Sequence, residues 1–460
     1  MLFNSHLFLL GFLPCAIIGY SLTERRPQLR VSVLIVFSLL FYGWLNPCFV
    51  LFLVASILLN WLAARAFVAT CNRSIITGAI ILNLIVLGVF KYTNFFLQNA
   101  SMLIGTSFRP LAIVLPLGIS FFTFHHIMYL ADLRKGRAPL APLDRYALYI
   151  CFFPQAIAGP IARWSEVGNQ FGQRIFAPGW ERRWALGLTF ILLGLIQKVA
   201  LGDPIGKILD PIYAAAASGP VTDGSAWLAP GFALQIFFDF SGYSDIAIGV
   251  ALLFGVQLPY NFNAPFQASS ILEFWQRWHM TLSRFLRDYV FLRLADWRVA
   301  GRRHMVPQYV MAFILTMTLC GLWHGAGWNY IIWGTLQGVA MVFALGWRRA
   351  VGSPPRLVGC AATILFFALT AVIFRAGTLS ATWHIYSGFG VFPGTKMLRN
   401  VWIIGVAAVL TLSLPSSQTL CTRLTQRPLP LMPAVLGLIG VVILVQLASN
   451  EAYDFIYFQF

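Results

Sequence analysis

His324 sits in the run TMTLCGLWHGAGWNYIIWGTLQGV, with an apolar stretch of about one bilayer crossing on either side. A polar group at that depth has little water to pair with and is costly unless a partner satisfies it. An ionisable side chain inside a membrane is therefore a functional-site hypothesis by default. Gly325 and Gly327 keep the chain open beside it. An imidazole titrates near working pH, so on its own it could serve a pump, a pore or a structural hydrogen bond, or act as a base that activates a hydroxyl to attack a thioester.

A second histidine lies in LEFWQRWHMTLSRFLRDYVFLRL, from Leu272 to Leu294. On a helix, Trp275, Trp278, His279, Leu282, Phe285, Leu286 and Tyr289 share one face, and Arg277, Arg284 and Asp288 the opposite one. The spacing predicts a single amphipathic helix at the membrane interface. His279 is then either an interfacial histidine of a basic surface helix or a residue lining a reaction chamber. Upstream, LQIFFDFSGYSDIAIGVALLFGV places Asp239, Ser241, Tyr243, Ser244 and Asp245 midway along an apolar run. A carboxylate at the centre of a span costs roughly 2.5–3.5 kcal/mol on insertion scales. Two so close together predict a broken helix facing a polar cavity, or else structural pairing with an Arg or His of a neighbouring helix. The loop Pro259–Pro265, which carries Asn261 and Asn263, is rich in breakers and sets up the entry of the His279 helix.

Other chemistries are poorly supported. There is no HExxH, HxxxH or cysteine pair at ligand spacing, so no metal site is expected, and there is no GxSxG, Walker A or GxGxxG sequence. Cys320 stands one helical turn before His324, which allows a thiol–imidazole pair, although a small buried cysteine explains it as well. The other cysteines are scattered singly and give no disulfide framework. FFPQAIAGPIARW, from Phe152 to Trp164, reads as a re-entrant turn ended by Gly159-Pro160. His125 and His126 are adjacent and point to different helix faces, so at least one serves packing. His6, His304 and His384 lie near helix ends and receive no role.

The elements that must position these residues are helices in a bilayer. The chain is 59% hydrophobic and 10% charged, against about 25% charged in soluble proteins. Apolar runs of helical length lie near 6–22, 31–45, 48–63, 75–91, 111–130, 185–201, 226–256, 305–323, 326–346, 357–374, 399–415 and 431–448. This predicts an all-α polytopic membrane protein of 11–12 spans with re-entrant and interfacial helices. It reads as a single membrane domain over 1–460, with peripheral helices in 1–110, a catalytic core in 111–346 and C-terminal helices in 347–460. The first run lacks a basic segment before it and is followed by Arg25 and Arg26, so it reads as a retained span. The formal charge of +17 reflects topology rather than nucleic-acid binding. With the N-terminus outside, the inner loops 23–30, 64–74, 131–184, 257–304, 347–356 and 416–430 hold 25 of the 32 Lys and Arg residues. Both termini then face the periplasm or cell exterior, and the final EAYDFIYFQF reads as an interfacial tail.

PQAIAGPIARW, FFDFSGYSDIAIGVALLFGVQLPYNFNAPF, FWQRWHMTLSRFLRDYVF and LWHGAGWNYIIWGTLQG together resemble the membrane-bound O-acyltransferases. The resemblance runs from about Leu115 to Gln337. It is to the branch holding the alginate O-acetyltransferase membrane subunit and the teichoic-acid D-alanyl transfer protein. Glutamine is commoner in that branch where His125 and His126 stand, a departure that could tune substrate choice. The resemblance implies helices around a central funnel, with His324 and His279 as the two active-site histidines. It implies that acetyl passes from cytoplasmic acetyl-CoA, a substrate rather than a bound cofactor, to an extracytoplasmic polysaccharide. On that reading His324 is the general base and His279 orients or stabilises the thioester carbonyl. A separate periplasmic hydrolase-like partner is implied, in a bacterial inner membrane. Trp323, Asp239, Tyr243, Asp245, Asn263, Trp278 and Asp288 are candidate supporting residues. Arg277, Arg284 and Arg287 are candidate contacts to the donor's phosphates, or serve only topology and anionic lipid. D-alanyl transfer from a carrier protein to teichoic acid is the runner-up, and a polytopic transporter or flippase is the non-enzyme competitor.

Overall fold

The computed structural model describes residues 1–44, 46–296, 305–392, 395–426, 432–449 and 455–456; all their regular elements are helices. Such an architecture satisfies each backbone N–H and C=O within its own segment, as a bilayer demands. Each of the twelve apolar runs contains a helix. By length and composition, six can cross a membrane: Cys48–Thr70, Arg73–Leu103, Trp180–Ser218, Ser225–Leu253, Trp328–Ala350 and Arg356–Arg375. A seventh arises if Val401–Ser413 and Ser417–Gln426, bent by 69°, count as one span. The protein is an all-α polytopic membrane protein, with fewer full-length spans among the described residues than the eleven or twelve expected. Leu7–Leu22 and Gln28–Gly43 are shorter, and residues 104–118 are not helical, which leaves only Ile119–Arg134 of the fifth run. His304 and most of the C-terminal tail lie outside the described residues.

Two compact units interleave along the chain. The first comprises Met1–Leu195, Tyr243–Tyr260 and Cys421–Phe458. In it, Asn60 and Asn83 exchange amide hydrogen bonds of 3.3 and 2.7 Å between two spans, a polar tie suited to helices surrounded by lipid. The turn after Phe153–Ala156 closes at Gly159, where a Cβ would fall 2.3 Å from the Pro154 carbonyl oxygen. Gln155 is wholly buried there and donates to the Tyr149 carbonyl at 2.6 Å. Both His125 and His126 are buried; His126 lies 2.6 Å from the Tyr146 hydroxyl and 3.3 Å from that of Ser56, and His125 packs on the Tyr149 ring.

The second unit comprises Ile196–Gly242, Asn261–Leu420 and Gln459–Phe460, and it holds both candidate histidines. Its backbone is the hairpin of Met305–His324 and Trp328–Ala350. A Cβ on Gly321 would sit 2.1 Å from the Tyr330 carbonyl oxygen, and one on Gly334 2.2 Å from that of Met317. Only glycine at these positions lets the two helices come this close.

Candidate active site

His324 is the last residue of its helix, so the chain turns over it. Gly325 makes that turn possible, since a Cβ there would overlap the Tyr330 ring at 2.1 Å. The imidazole is 7% exposed and walled by aromatic rings: Trp323 at 4.7 Å, Phe374 at 5.1 Å and Trp333 at 5.6 Å between centroids. Asn329 fixes that wall, its amide donating to the carbonyls of Ile373 and Phe374 at 3.4 Å each. Cys320 is buried and forms no hydrogen bond to His324, so the thiol–imidazole pair is not built.

The His279 segment corrects the expectation of one continuous helix. Ile271–Arg277 ends, Trp278 is extended, and His279 takes a left-handed conformation at φ 40° before Met280–Phe285 begins. The cause is tertiary. The Asn261 carbonyl accepts from the Met280 N–H at 2.8 Å, and the Asn263 N–H donates to the Arg277 carbonyl at 2.9 Å. Groups that would have continued the helix are taken by the preceding loop. A non-glycine residue at positive φ is strained by roughly 1–2 kcal/mol, and such strain persists where surrounding contacts over-determine it. The expected faces survive the break: Trp275, Trp278, His279, Leu282, Phe285 and Leu286 are buried, while Arg277, Arg284, Asp288 and also Tyr289 are partly exposed.

His279 is 1% exposed. Its Nδ1 lies 3.3 Å from Asn261 Oδ1, which also accepts from the Thr281 hydroxyl at 2.6 Å. An amide oxygen only accepts, so Nδ1 carries the proton and Nε2 presents its lone pair. That Nε2 is buried and has no hydrogen-bond partner. Burial lowers the imidazole to about 3, which keeps it neutral. Phe240 packs edge-on beneath it at 4.6 Å, and Trp323 lies 6.4 Å away. Trp323 therefore touches both histidine rings.

Asp239 is not beside a broken helix. Phe232–Leu253 runs unbroken, and Asp239 pairs with Lys198, which also binds Asp203 at 2.7 Å. Lys198 and Asp239 are 3% and 4% exposed, and the close approach occurs at Gly202, where a Cβ would lie 3.1 Å from the Asp239 nitrogen. The structural alternative weighed from sequence holds, with lysine in place of Arg or His. Tyr243 stacks between Phe3 and Phe455 at 4.8 and 4.3 Å, and Asp245 lies in the field of Tyr260 and Cys421. These two serve the first unit. Trp278 packs on Phe262, Phe274 and Phe367, a second layer of the site, and Asn263 contributes its backbone.

Arg277 binds Glu273 at 2.6 Å and Arg287 binds Asp288 at 2.7 Å, so both guanidiniums hold carboxylates of their own segment. Arg284 is half-buried. Burial raises Glu273, but the N–H and hydroxyl of Ser269, both at 2.8 Å, and Arg277 outweigh it and hold the carboxyl below its ordinary range. Asn261, Thr281, Phe240, Trp333 and Phe374 pack on or bond to the two histidines or their partners, and none of them is among the site candidates that the sequence offers. The described residues contain no cluster of metal-ligating side chains.

Residues 66–374 match the model of the membrane-bound O-acyltransferase family. The chain is 35% identical over 434 residues to the peptidoglycan O-acetyltransferase of Helicobacter pylori, covering 86% of this chain and 81% of that protein. It is 37% identical over 417 residues to the probable alginate O-acetylase AlgI of Pseudomonas aeruginosa, with 87% and 77% covered. The teichoic acid D-alanyltransferase of Bacillus subtilis is 30% identical over 362 residues, with 74% and 87% covered. With the family model spanning well over half of its length and relatives aligned through both histidine segments, the chain belongs to the membrane-bound O-acyltransferase family, and it is an acyltransferase.

Proposed function

We propose that this enzyme moves an acetyl group from cytoplasmic acetyl-CoA to a hydroxyl of an extracytoplasmic polysaccharide, with His324 as general base. The observation that carries the reading is the single indole of Trp323 in contact with two buried imidazoles, one of which offers an unpartnered lone pair. The acceptor oxygen attacks the thioester carbon, its proton passes to His324, and the carbon–sulfur bond breaks as the thiolate leaves and takes up a proton. A carbonyl oxygen needs a donor, and Nε2 of His279 is an acceptor. His279 is therefore assigned to the acceptor side, where it receives a hydrogen bond from a neighbouring hydroxyl of the sugar rather than holding the thioester carbonyl. Aromatic walls around His324 exclude water that would otherwise hydrolyse the thioester.

The acetyl reading rests on relatives that carry acetyltransferase names at 35–37% identity, against 30% for the D-alanyltransferase of Bacillus subtilis. The charge distribution supports an inner-membrane orientation with both termini periplasmic. A periplasmic hydrolase-like partner presents the polymer chain to this site. The test is acetyl transfer from labelled acetyl-CoA in membranes carrying wild type or His324→Ala, together with mass spectrometry of the cell's polysaccharides. Loss of label and of polymer acetyl groups is expected in the variant. Near-wild-type transfer overturns the assignment of His324, and an alanyl rather than acetyl ester on the polymer overturns the donor.

A further inference from the structure

Arg30, in the first turns of the helix Pro27–Gly43, is 6% exposed, and its Nε and Nη1 are buried without a hydrogen-bond partner. It takes part in no ion pair or ring-face contact within the described protein. A buried guanidinium without a counter-charge is among the most costly states a side chain can adopt. Arg183 is a second partly buried cation of the same unit. Arg183 donates one Nη2 hydrogen to the Ile175 carbonyl, while its Nε is buried and unpartnered. Both cations lie within electrostatic reach of the Tyr20 hydroxyl, which is fully buried and turned to the Gln173 carbonyl at 2.5 Å. Gly255, in a left-handed turn at φ 83°, lies beside both Gln173 and Arg183: a Cβ there would stand 3.5 Å from the Gln173 Cβ and 3.7 Å from the Arg183 guanidinium carbon. The carboxylate in reach of Tyr20 is Glu24, and it is engaged by Arg174 at 3.2 Å. No acidic side chain described there neutralises Arg30.

We propose that Arg30 and Arg183 form a binding site for a phosphate ester, with the Arg30 fork donating to its oxyanion. Guanidinium geometry matches the paired oxygens of a phosphate, and such charge-assisted bonds are about twice as strong as neutral ones. Arg25 and Arg26 are exposed on the adjoining turn and Arg182 beside Arg183, which draws anions to the entrance. The charge count places loops 23–30 and 131–184 on the inner side, where both anionic lipid headgroups and soluble nucleotides are met.

The full chain in nanodiscs tests this with two probes. One compares melting temperature and retained lipid in phosphatidylglycerol against phosphatidylcholine; the other titrates coenzyme A in phosphatidylcholine alone. Arg30→Gln, which keeps polarity and removes the charge, is expected to weaken one probe by roughly tenfold, the equivalent of one strong charged bond. Loss of the phosphatidylglycerol effect identifies a lipid headgroup, and loss of coenzyme A affinity identifies a soluble donor. Arg30→Lys and Arg183→Gln serve if Arg30→Gln does not fold. His324→Ala leaves the phosphatidylglycerol effect unchanged, which separates this readout from the catalytic assignment. Variants that fold and bind both probes like wild type overturn the proposal, as does an equal gain in melting temperature in both lipids on Arg30→Gln.

Discussion

Asn261 Oδ1 accepts two bonds at once, from His279 Nδ1 at 3.3 Å and from the Thr281 hydroxyl at 2.6 Å. The Thr281 bond fixes the amide, and the amide fixes the tautomer. Asn261→Ala frees the imidazole to rotate and change tautomer, and kcat is expected to fall roughly tenfold or more. Asn261→Asp keeps the acceptor but adds a charge that favours the imidazolium. The acid limb of the pH–rate profile should then move upward. Steady-state kinetics across pH on both variants checks this, and unchanged profiles would remove His279 from the site.

The neutral state of His279 carries a stability consequence. Its folded value of about 3 lies below the 6.5 of the free side chain, so the unfolded chain binds the extra proton between these values. The contribution is intact above about pH 6.5 and is lost as pH falls towards 3. His279→Gln should flatten this part of the acid-side decline in melting temperature, measured in detergent from pH 7 to 4. A decline as steep as in wild type would count against a buried neutral imidazole.

Lys198 holds two carboxylates in the interior of the second unit. Lys198→Met leaves both without their cation and is expected to destabilise by about 3–5 kcal/mol. Adding Asp203→Asn and Asp239→Asn should recover most of that loss. Thermal unfolding of the single and triple variants provides the comparison; a single variant as stable as wild type would show that the cluster contributes little.

At the helix crossing, Gly321→Ala drives a methyl group onto the Tyr330 carbonyl oxygen. A loss of about 1–3 kcal/mol is expected from overpacking. Activity should fall further than stability does, because His324 is three residues away. Specific activity of the folded fraction, compared with Gly346→Ala at an open position, separates the two effects.

The helices were legible because apolar periodicity is a property of the chain alone, and the two histidines stand out in it as polar intruders. The break at His279 was not. The apolar face continues through Trp278 and Leu282 without interruption, and the competing bonds come from a loop some eighteen residues upstream. Asp239 misled for a related reason. A carboxylate in a span calls for a cavity only while its cation is unknown, and Lys198 lay in plain view in the run read as 185–201. Once paired, the helix has no need to open. Asn261 sat in a loop recognised for its breakers, yet only the fold shows that its amide, rather than that of Asn263, meets the imidazole.

The crossing of Met305–His324 with Trp328–Ala350 is sealed main chain against main chain at Gly321 and Gly334. Cushioning between elements normally comes from side chains that change rotamer; at these two glycines there is none, and beside them Thr318 and Thr335 are tied hydroxyl to hydroxyl at 2.9 Å. The hairpin therefore behaves as a stiff lever with His324 near its tip. A push on the Trp328–Ala350 span, from lipid or from a bound protein, would reach the imidazole as displacement instead of being absorbed on the way.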